Sequence, residues 1–376
     1  MKRVLLTGAA GFIGKNTALT LRRDPQFEVM EADIDTPKGD LDNALQSCEV
    51  IIHLAGTNRL REGEDFEDGN VGSMATFLDK INRHSRNPLI VFSSSTQALL
   101  DNPYGMSKKK AEDLLLSYAE RTATPARIFR LPGVFGKWCR PNYNSVVATF
   151  CHNIANDLPI QISDPDREIE IVHVDDVIAT FLSMLSQRET VQGAAFVDVK
   201  PTFRVKLGDL AEKLQAFHSC RESLAQPNLE APFDSRLFGT YMSYLPEDSL
   251  AYELPQKRDQ RGALAEFLKL AGHGQIFISR TGLGITRGNH YHDLKVEKFI
   301  VLEGEAIIRL RHMFSKAIVA YPVKGREMRV VDIPPGWTHS MENVGTGELI
   351  VLFWSSEVFD PARPDTFFAK VVNEKT

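Results

Sequence analysis

Long apolar runs are missing from this chain of 376 residues: no stretch reaches the roughly 20 apolar residues that a membrane-spanning helix needs. Cysteine is scarce. The four present, Cys48, Cys139, Cys151 and Cys220, form no CxxC pair, so neither a disulfide framework nor a thiolate metal site is indicated and buried free thiols are expected. No sign of charge dominates, with 44 lysines and arginines against 49 acids and a net charge of -5. Without a concentrated basic run, bulk attraction to nucleic acid is not expected. Lys2 and Arg3 ahead of apolar residues mimic a secretory leader, but Gly8, Gly11 and Gly14 interrupt that run, and the chain reads as cytoplasmic. What is there is an ordinary globular composition, 43% hydrophobic and 25% charged, in a chain long enough for two cores.

The stretch Val4 to Gly14, VLLTGAAGFIG, reads as an apolar strand that runs through a glycine turn into a helix. Gly8 permits the tight turn, Gly11 lets backbone N–H groups approach a pyrophosphate, and Gly14 lets the helix pack on the strand. Phe12, Ile13 and Lys15 open that helix, so the pattern describes a dinucleotide seat. Asp33 ends the next strand about 20 residues past the turn, where a carboxylate can accept hydrogen bonds from a ribose 2′-OH. Its charge repels a 2′-phosphate while Lys15 would attract one, which leaves both NADP(H) and NAD(H) open.

Val50 to Gly56 (VIIHLAG) is a further buried strand, ending in Leu54, Ala55 and Gly56 where a cofactor can lie across the edge; Pro88 to Ser95 (PLIVFSSS) is the next. Alternation with helical stretches at Val71 to Arg83 and Ser107 to Arg121 indicates βαβ units. The expected fold is an α/β Rossmann-type doubly wound parallel sheet with its chemistry at the C-terminal strand ends. There Ser93, Ser94 and Ser95 end one strand, Tyr104 follows nine residues after Ser95, and Lys108 four residues after that. Positions i and i+4 share a helix face, so the Lys108 ammonium is expected to lower the Tyr104 phenol pKa from its usual value of about 10.

TGAAGFIG, HLAG, Asn70, SSS, YGMSK (Tyr104 to Lys108), RLPGVFG (Arg130 to Gly136) and VHVDDV (Val172 to Val177), in that order, resemble the extended short-chain dehydrogenase/reductase family of nucleotide-sugar enzymes. The resemblance implies Tyr104 as catalytic acid/base, Lys108 as its partner, and Ser95 or Ser94 as hydrogen-bond donor to the substrate carbonyl. Asp33, Asp40 and Asn70 would stand at cofactor-binding or supporting positions. Thr96 and Gln97 stand where dehydratases of the family carry an acid, which disfavours dehydration. Gly133 stands where many relatives have asparagine, and nearby Asn142 and Asn144 are the candidates to replace it in substrate binding.

Prolines at 227, 232, 246 and 255 mark irregular structure and a boundary near Leu245, dividing residues 1–245 from 246–376. Beyond it, short alternating segments with turns between them read as an all-β barrel or sandwich. His290 and His292, two apart, face one way on a strand, with Glu297 and His339 completing a set able to hold Zn(II), Fe(II), Mn(II) or Ni(II), zinc being favoured. Gly284, His290, His292, Glu297 and Gly304 resemble the first cupin motif, and Pro334, Gly336, His339 and Asn343 the second, with Met328 in place of its leading glycine. Asp259 to Glu266 resembles the opening strand of deoxysugar 3,5-epimerases, which implies sugar-nucleotide contacts for Arg261 and Glu266. Tyr291, His312 and Lys295 remain candidates for the acid/base of that domain.

The order reductase-then-cupin, with FGKWCRPNYNS (Phe135 to Ser145) and GNHYH (Gly288 to His292), resembles the bifunctional enzymes of capsule and O-antigen synthesis. That resemblance implies a homodimer acting on a UDP-linked 4-keto-6-deoxy-N-acetylhexosamine, by C3 epimerisation in the cupin and C4 reduction with NAD(P)H in the first domain. A reductase with a non-catalytic sugar-nucleotide-binding cupin, and a UDP-sugar 4-epimerase, are the alternatives.

Overall fold

The computed structural model describes residues 1–60, 65–84, 87–186 and 192–372. The chain forms two compact units, one of Met1–Gln215 with Pro232–Pro246, the other of Ala216–Ala231 with Glu247–Thr376. A single cut near Leu245 therefore misses Ala216–Ala231, which belongs with the second unit.

In the first unit, β1 (Lys2–Thr7), β2 (Phe27–Ala32), β3 (Val50–His53), β4 (Leu89–Ser95), β5 (Ala126–Leu131) and β8 (Ala194–Phe196) make one parallel sheet ordered β2-β1-β3-β4-β5-β8. Alternate residues of these strands feed two separate cores. Leu5, Ile51 and Ile90 pack with α2 (Lys38–Ser47), α3 (Ser73–Arg83) and α4 (Pro103–Thr122), whereas Val4, Ile52 and Val91 pack with α1 (Phe12–Arg22) and α6 (Val174–Ser186). Both faces are covered, so the inner strands carry unbroken buried apolar runs, Val4–Leu6 in β1, Val50–Ile52 in β3 and Leu89–Phe92 in β4, as the sequence suggested, while β2 beside them keeps Glu28 and Glu31. The chain leaves β1 to one side for β2 and to the other for β3, and the crevice at their C-terminal ends is the ligand position of such sheets. A small second sheet holds β6 (Gly133–Phe135), β7 (Glu168–His173) and β9 (Phe203–Lys206). The unit also carries α5 (Val146–Ala155) and α8 (Pro232–Met242). α7 (Leu207–Ser223) begins here, and the division between units falls within it.

The second unit is mostly β. One sheet is ordered β10-β12-β13-β20-β15-β18, with β11 beside β12. Its strands are β10 (Ala225–Gln226), β11 (Gln256–Asp259), β12 (Gly262–Leu270), β13 (Gly274–Thr281), β15 (Glu297–Glu303), β18 (Val330–Ile333) and β20 (Leu349–Ser355). The other runs β17-β16-β19-β14-β21, comprising β14 (Thr286–Tyr291), β16 (Glu305–His312), β17 (Ile318–Lys324), β19 (Trp337–Asn343) and β21 (Phe367–Phe368). Phe299, Val301, Ile308, Leu310, Met341, Val351 and Phe353 from the two sheets form one core. No helix among the described residues is long and apolar enough to cross a membrane.

Candidate active site and metal centre

The glycine turn is shaped by close approach. Gly8 sits at φ +70°, and a Cβ there would lie 2.8 Å from the Ala55 nitrogen and 2.9 Å from the Leu54 carbonyl carbon, beyond β3. At Gly14 a Cβ would lie 2.1 Å from the Gly8 carbonyl oxygen, so α1 can pack on β1 only through glycine. Gly11 caps α1 with no side chain acting as acceptor, which leaves the first amides of the helix, from Phe12 and Ile13 onward, for an anion. Beside them lies a cavity of about 680 Å³ whose walls include Ala9, Lys15, Arg22, Asp33 and Trp138. A dinucleotide diphosphate fits this turn.

Asp33 stands at the end of β2, its Oδ2 accepting from Ala10 N at 2.6 Å. Arg22 is held by Glu31 at 2.6 Å, which offsets its charge within the same cavity. Asp40 lies in the first turn of α2 and lines a neighbouring 310 Å³ cavity. Asn70 is buried and bridges elements: it accepts from Thr57 N at 3.1 Å and donates to Thr57 O and to Ser107 Oγ, while its Oδ1 would be 2.7 Å from any Cβ on Gly56. It thus fixes the loop after β3 against α4.

α4 begins earlier than the hydrophobic pattern implies, because Asn102 caps it by accepting from Gly105 N at 2.8 Å and Pro103 takes the first helical position. Tyr104 is therefore in the first turn. Burial raises its phenol pKa, and a hydrogen bond with Ser95 partly offsets the rise. The expected depression by Lys108 is not found. Instead the Lys108 ammonium donates to Ser93 O at 2.9 Å and lies 4.7 Å from the Phe92 ring centre, near Gly56. Burial brings its own pKa down to about 8, with Glu112 acting the other way. Ser94 also departs from expectation: its hydroxyl donates to Glu112 Oε1 at 2.6 Å, away from Tyr104. Glu112 in turn pairs with Arg130 at 2.6 Å, a buried carboxylate satisfied from two sides. Ser95 alone of the two serines faces the tyrosine.

His53 went unassigned in the sequence. It is buried, 2.8 Å from Thr7 Oγ1 through Nδ1, and stacked on Phe77 at 4.4 Å, and burial with the Lys108 charge takes its pKa down to about 3. It is a neutral strut beneath the crevice. Asn142, at φ +53°, and Asn144 are both exposed, and Arg59 ties down the Asn142 and Tyr143 carbonyls.

In the second unit, one ligand atom from each of His290, His292, Glu297 and His339 lies within 4.8 Å of the other three. His290 pairs with His339 across β14 and β19, after a bulge at Gly288–Asn289 that re-aims the strand. His292 Nε2 is 3.2 Å and His339 Nε2 3.4 Å from Glu297 Oε2. Both nitrogens and that oxygen are buried without a hydrogen-bond partner. Such orphans are costly unless a cation joins them, so the donors present suit a divalent metal. Burial and the neighbouring imidazoles take His339 down to about 3. For His292 and Glu297 burial favours the neutral forms, but their mutual attraction wins, leaving the histidine raised and the acid lowered.

Asp259 to Glu266 is a hairpin rather than one strand: β11 ends at Asp259 and β12 starts at Gly262, whose φ is +128°. Arg261 Nε bonds Asp259 at 3.0 Å, and Glu266 bonds Lys257 at 2.9 Å and Lys269 at 3.1 Å, so both substrate candidates are engaged in local ion pairs. Asn343 is structural, with Nδ2 donating to the carbonyls of Thr281, Gly282 and Gly347.

Residues 4–197 match the NAD dependent epimerase/dehydratase family, and residues 257–367 the polysaccharide biosynthesis C-terminal domain. The chain belongs to the NAD dependent epimerase/dehydratase family. A Pseudomonas aeruginosa protein named UDP-2-acetamido-2,6-beta-L-arabino-hexul-4-ose reductase is 40% identical over 369 residues, covering 98% of this chain and 99% of that one. The solved capsular polysaccharide assembling protein CapF from Staphylococcus aureus is 38% identical with a TM-score of 0.90, over 98% of this chain and 100% of that chain. The UDP-glucuronic acid 4-epimerase of Bacillus cereus, 17% identical with a TM-score of 0.55, covers 64% of this chain with 96% of its own and shares the fold. The family match contains Gly8 through Lys108, and the C-terminal domain match contains all four prospective metal ligands.

Proposed function

We propose that the protein carries out two consecutive steps on one UDP-linked 4-keto-6-deoxy-N-acetylhexosamine. In the cupin-type second domain, C3 of UDP-2-acetamido-2,6-dideoxy-β-L-arabino-hex-4-ulose is epimerised. In the first domain the C4 ketone is reduced to UDP-N-acetyl-6-deoxy-L-talosamine, toward UDP-N-acetyl-L-fucosamine for capsule or O-antigen. The observation that carries this reading is the 40% identity, over nearly the whole of both chains, to a protein named as the reductase of such a sugar. A homodimer in the cytoplasm belongs to the same proposal.

NADP(H) or NAD(H), when bound, supplies the hydride. Ser95 then orients the ketone oxygen by hydrogen bonding, and Tyr104 hands it a proton as charge develops there. The raised phenol pKa supports that direction, since it keeps the proton on Tyr104 until it is needed. In the second domain the C4 ketone acidifies the C3 proton, and removal and return on opposite faces invert the centre. A divalent ion held by His290, His292, Glu297 and His339, zinc in first place, would supply positive charge against the enolate. Of the three acid/base candidates, Lys295 is buried and its charge acts on both His290 and His292. Tyr291 packs on Phe367 and His312 on Trp337.

A second reading rests on the reduction that the relative's name states: a reductase whose cupin binds sugar nucleotide without catalysis. Mass spectrometry of the 4-ketosugar incubated with enzyme in D₂O, without reduced dinucleotide, separates the two. One deuterium at C3, abolished by His290→Ala with His339→Ala, supports the epimerase. No deuterium, alongside NAD(P)H oxidation that Tyr104→Phe stops, leaves a reductase alone. Net oxidation of NAD(P)H also excludes a 4-epimerase, which returns its hydride.

A further inference from the structure

Asp365 belongs to no sequence motif, yet it is tied at four points to His292 and the loop that follows it. Its Oδ1 accepts from Asp293 N at 2.9 Å, and its Oδ2 accepts from Leu294 N at 3.1 Å and Lys295 N at 2.9 Å. Its backbone carbonyl oxygen lies 2.5 Å from His292 Nδ1. The three amides belong to the loop joining His292 to Glu297, two of the four prospective ligands.

The segment carrying Asp365 is itself anchored. Phe367 and Phe368 pair with Tyr291 and His290 as an added strand on β14. Ala369 N donates to Asn289 O at 2.8 Å and Val371 N to Asn289 Oδ1 at 3.2 Å. Arg311 donates to the carbonyls of Val371 and Lys370 from β16. Asp365 has φ +35°, a conformation that non-glycine residues adopt at a cost and that these bonds hold in place.

We infer that Asp365 is a positioning residue for the metal centre. Its carbonyl accepts the Nδ1 proton of His292, which presents Nε2 to the cation, and its carboxylate sets the loop that spaces His292 from Glu297. The inference rests on the metal reading proposed above. Ligand histidines are commonly oriented through the second ring nitrogen, and losing that support typically weakens metal binding about 10- to 100-fold.

The test is a zinc titration of the full-length protein against a chromogenic chelator, with Asp365→Ala and Asp365→Asn. Expected is a fall in zinc affinity of about 10-fold for Asp365→Ala, the low end for loss of a supporting partner, because the backbone carbonyl stays while the carboxylate bonds that hold it and the loop against His292 are removed. Asp365→Asn falls in between, because one acceptor oxygen becomes a donor facing an N–H. Metal-free melting temperatures should fall only modestly with the lost amide bonds, less on the free-energy scale than zinc affinity does, and the visible absorption of the cobalt(II)-loaded form should change with His292 geometry. Unchanged zinc affinity and cobalt spectrum in Asp365→Asn overturn the inference, even if Asp365→Ala does not fold. A loss of affinity matched by an equal loss of metal-free stability, with an unchanged cobalt spectrum, overturns it too. Absence of zinc binding by the unaltered protein overturns the metal reading itself, and the inference falls with it.

Discussion

Ser94 and Ser95 are neighbours at the end of β4, yet their hydroxyls serve opposite sides of the strand: Ser94 reaches Glu112 at 2.6 Å, while Ser95 bonds Tyr104. The alternation of a strand separates a hydroxyl engaged by Glu112 from one beside the Tyr104 phenol. Ser95→Ala is expected to lower kcat for ketone reduction about 100-fold or more, comparable to losing an oxyanion donor. Ser94→Ala should instead cost about 1–2 kcal/mol of stability in urea unfolding, by taking a partner from the buried Glu112. Equal kinetic losses in the two variants would refute the division.

Lys108 is buried with its pKa reduced to about 8 from 10.5, so the folded protein holds an ammonium at a cost below pH 8. That cost is complete below the folded pKa and disappears as pH rises past the unfolded one, so stability rises across this window. The shift corresponds to roughly 3 kcal/mol, from which about 1 kcal/mol is lost with the Ser93 hydrogen bond. Lys108→Met should therefore stabilise the cofactor-free protein by about 2 kcal/mol at pH 7 while abolishing reduction. Denaturant unfolding at pH 7 and pH 10 would expose an error if the gain did not shrink at the higher pH.

Met328 has φ +48° and is exposed, a full side chain in the left-handed region that favours glycine. Met328→Gly relieves a left-handed side chain, and the added freedom of the unfolded chain offsets part of the gain. A net stabilisation of about 0.5–1 kcal/mol is expected in thermal unfolding. A destabilised variant would mean that the side chain makes a contact worth more than the strain.

If His290, His292, Glu297 and His339 bind zinc, free zinc at about 1,000 times its Kd should stabilise the second unit by about 4 kcal/mol, and a chelator should reverse this. Glu297→Ala should eliminate the gain. Calorimetry with and without zinc checks both, and a zinc-insensitive transition would contradict the site.

Asp33 places a carboxylate in the wall of the 680 Å³ cavity, while Arg22 in the same wall is engaged by Glu31. Removing the charge with Asp33→Ser should shift the ratio of NADPH to NADH affinity toward NADPH by roughly tenfold. Fluorescence titration of both dinucleotides measures it. An unchanged ratio would leave Lys15 in control of the preference.

The glycine turn, the serine-ended strand and the histidine spacing were legible because each is a demand of local backbone geometry on a short run of residues. The strands of the second unit were legible for a similar reason, their period-two pattern being local. What escaped depends on distant partners. The Asp365 bonds span some 70 residues, and the engagement of Arg261 and Glu266 follows from a hairpin turn at Gly262. The start of α4 carried a readable signal in Asn102-Pro103, which the hydrophobic pattern overshadowed. The direction of the Tyr104 shift was misread because helix spacing gives a shared face and not where a long lysine side chain ends.

The polypeptide passes from one unit to the other three times, after Gln215, Ala231 and Pro246. The two halves are thus interlaced in the gene as well as in the chain. A recombination event or an engineered split at residue 246 would carry away β11 onward yet leave Ala225 and Gln226 behind, stripping β12 of a parallel neighbour and baring its edge. Shuffling halves between relatives therefore has to move Ala216–Ala231 with the second unit while Pro232–Pro246 stays with the first, an exchange that no single crossover can make.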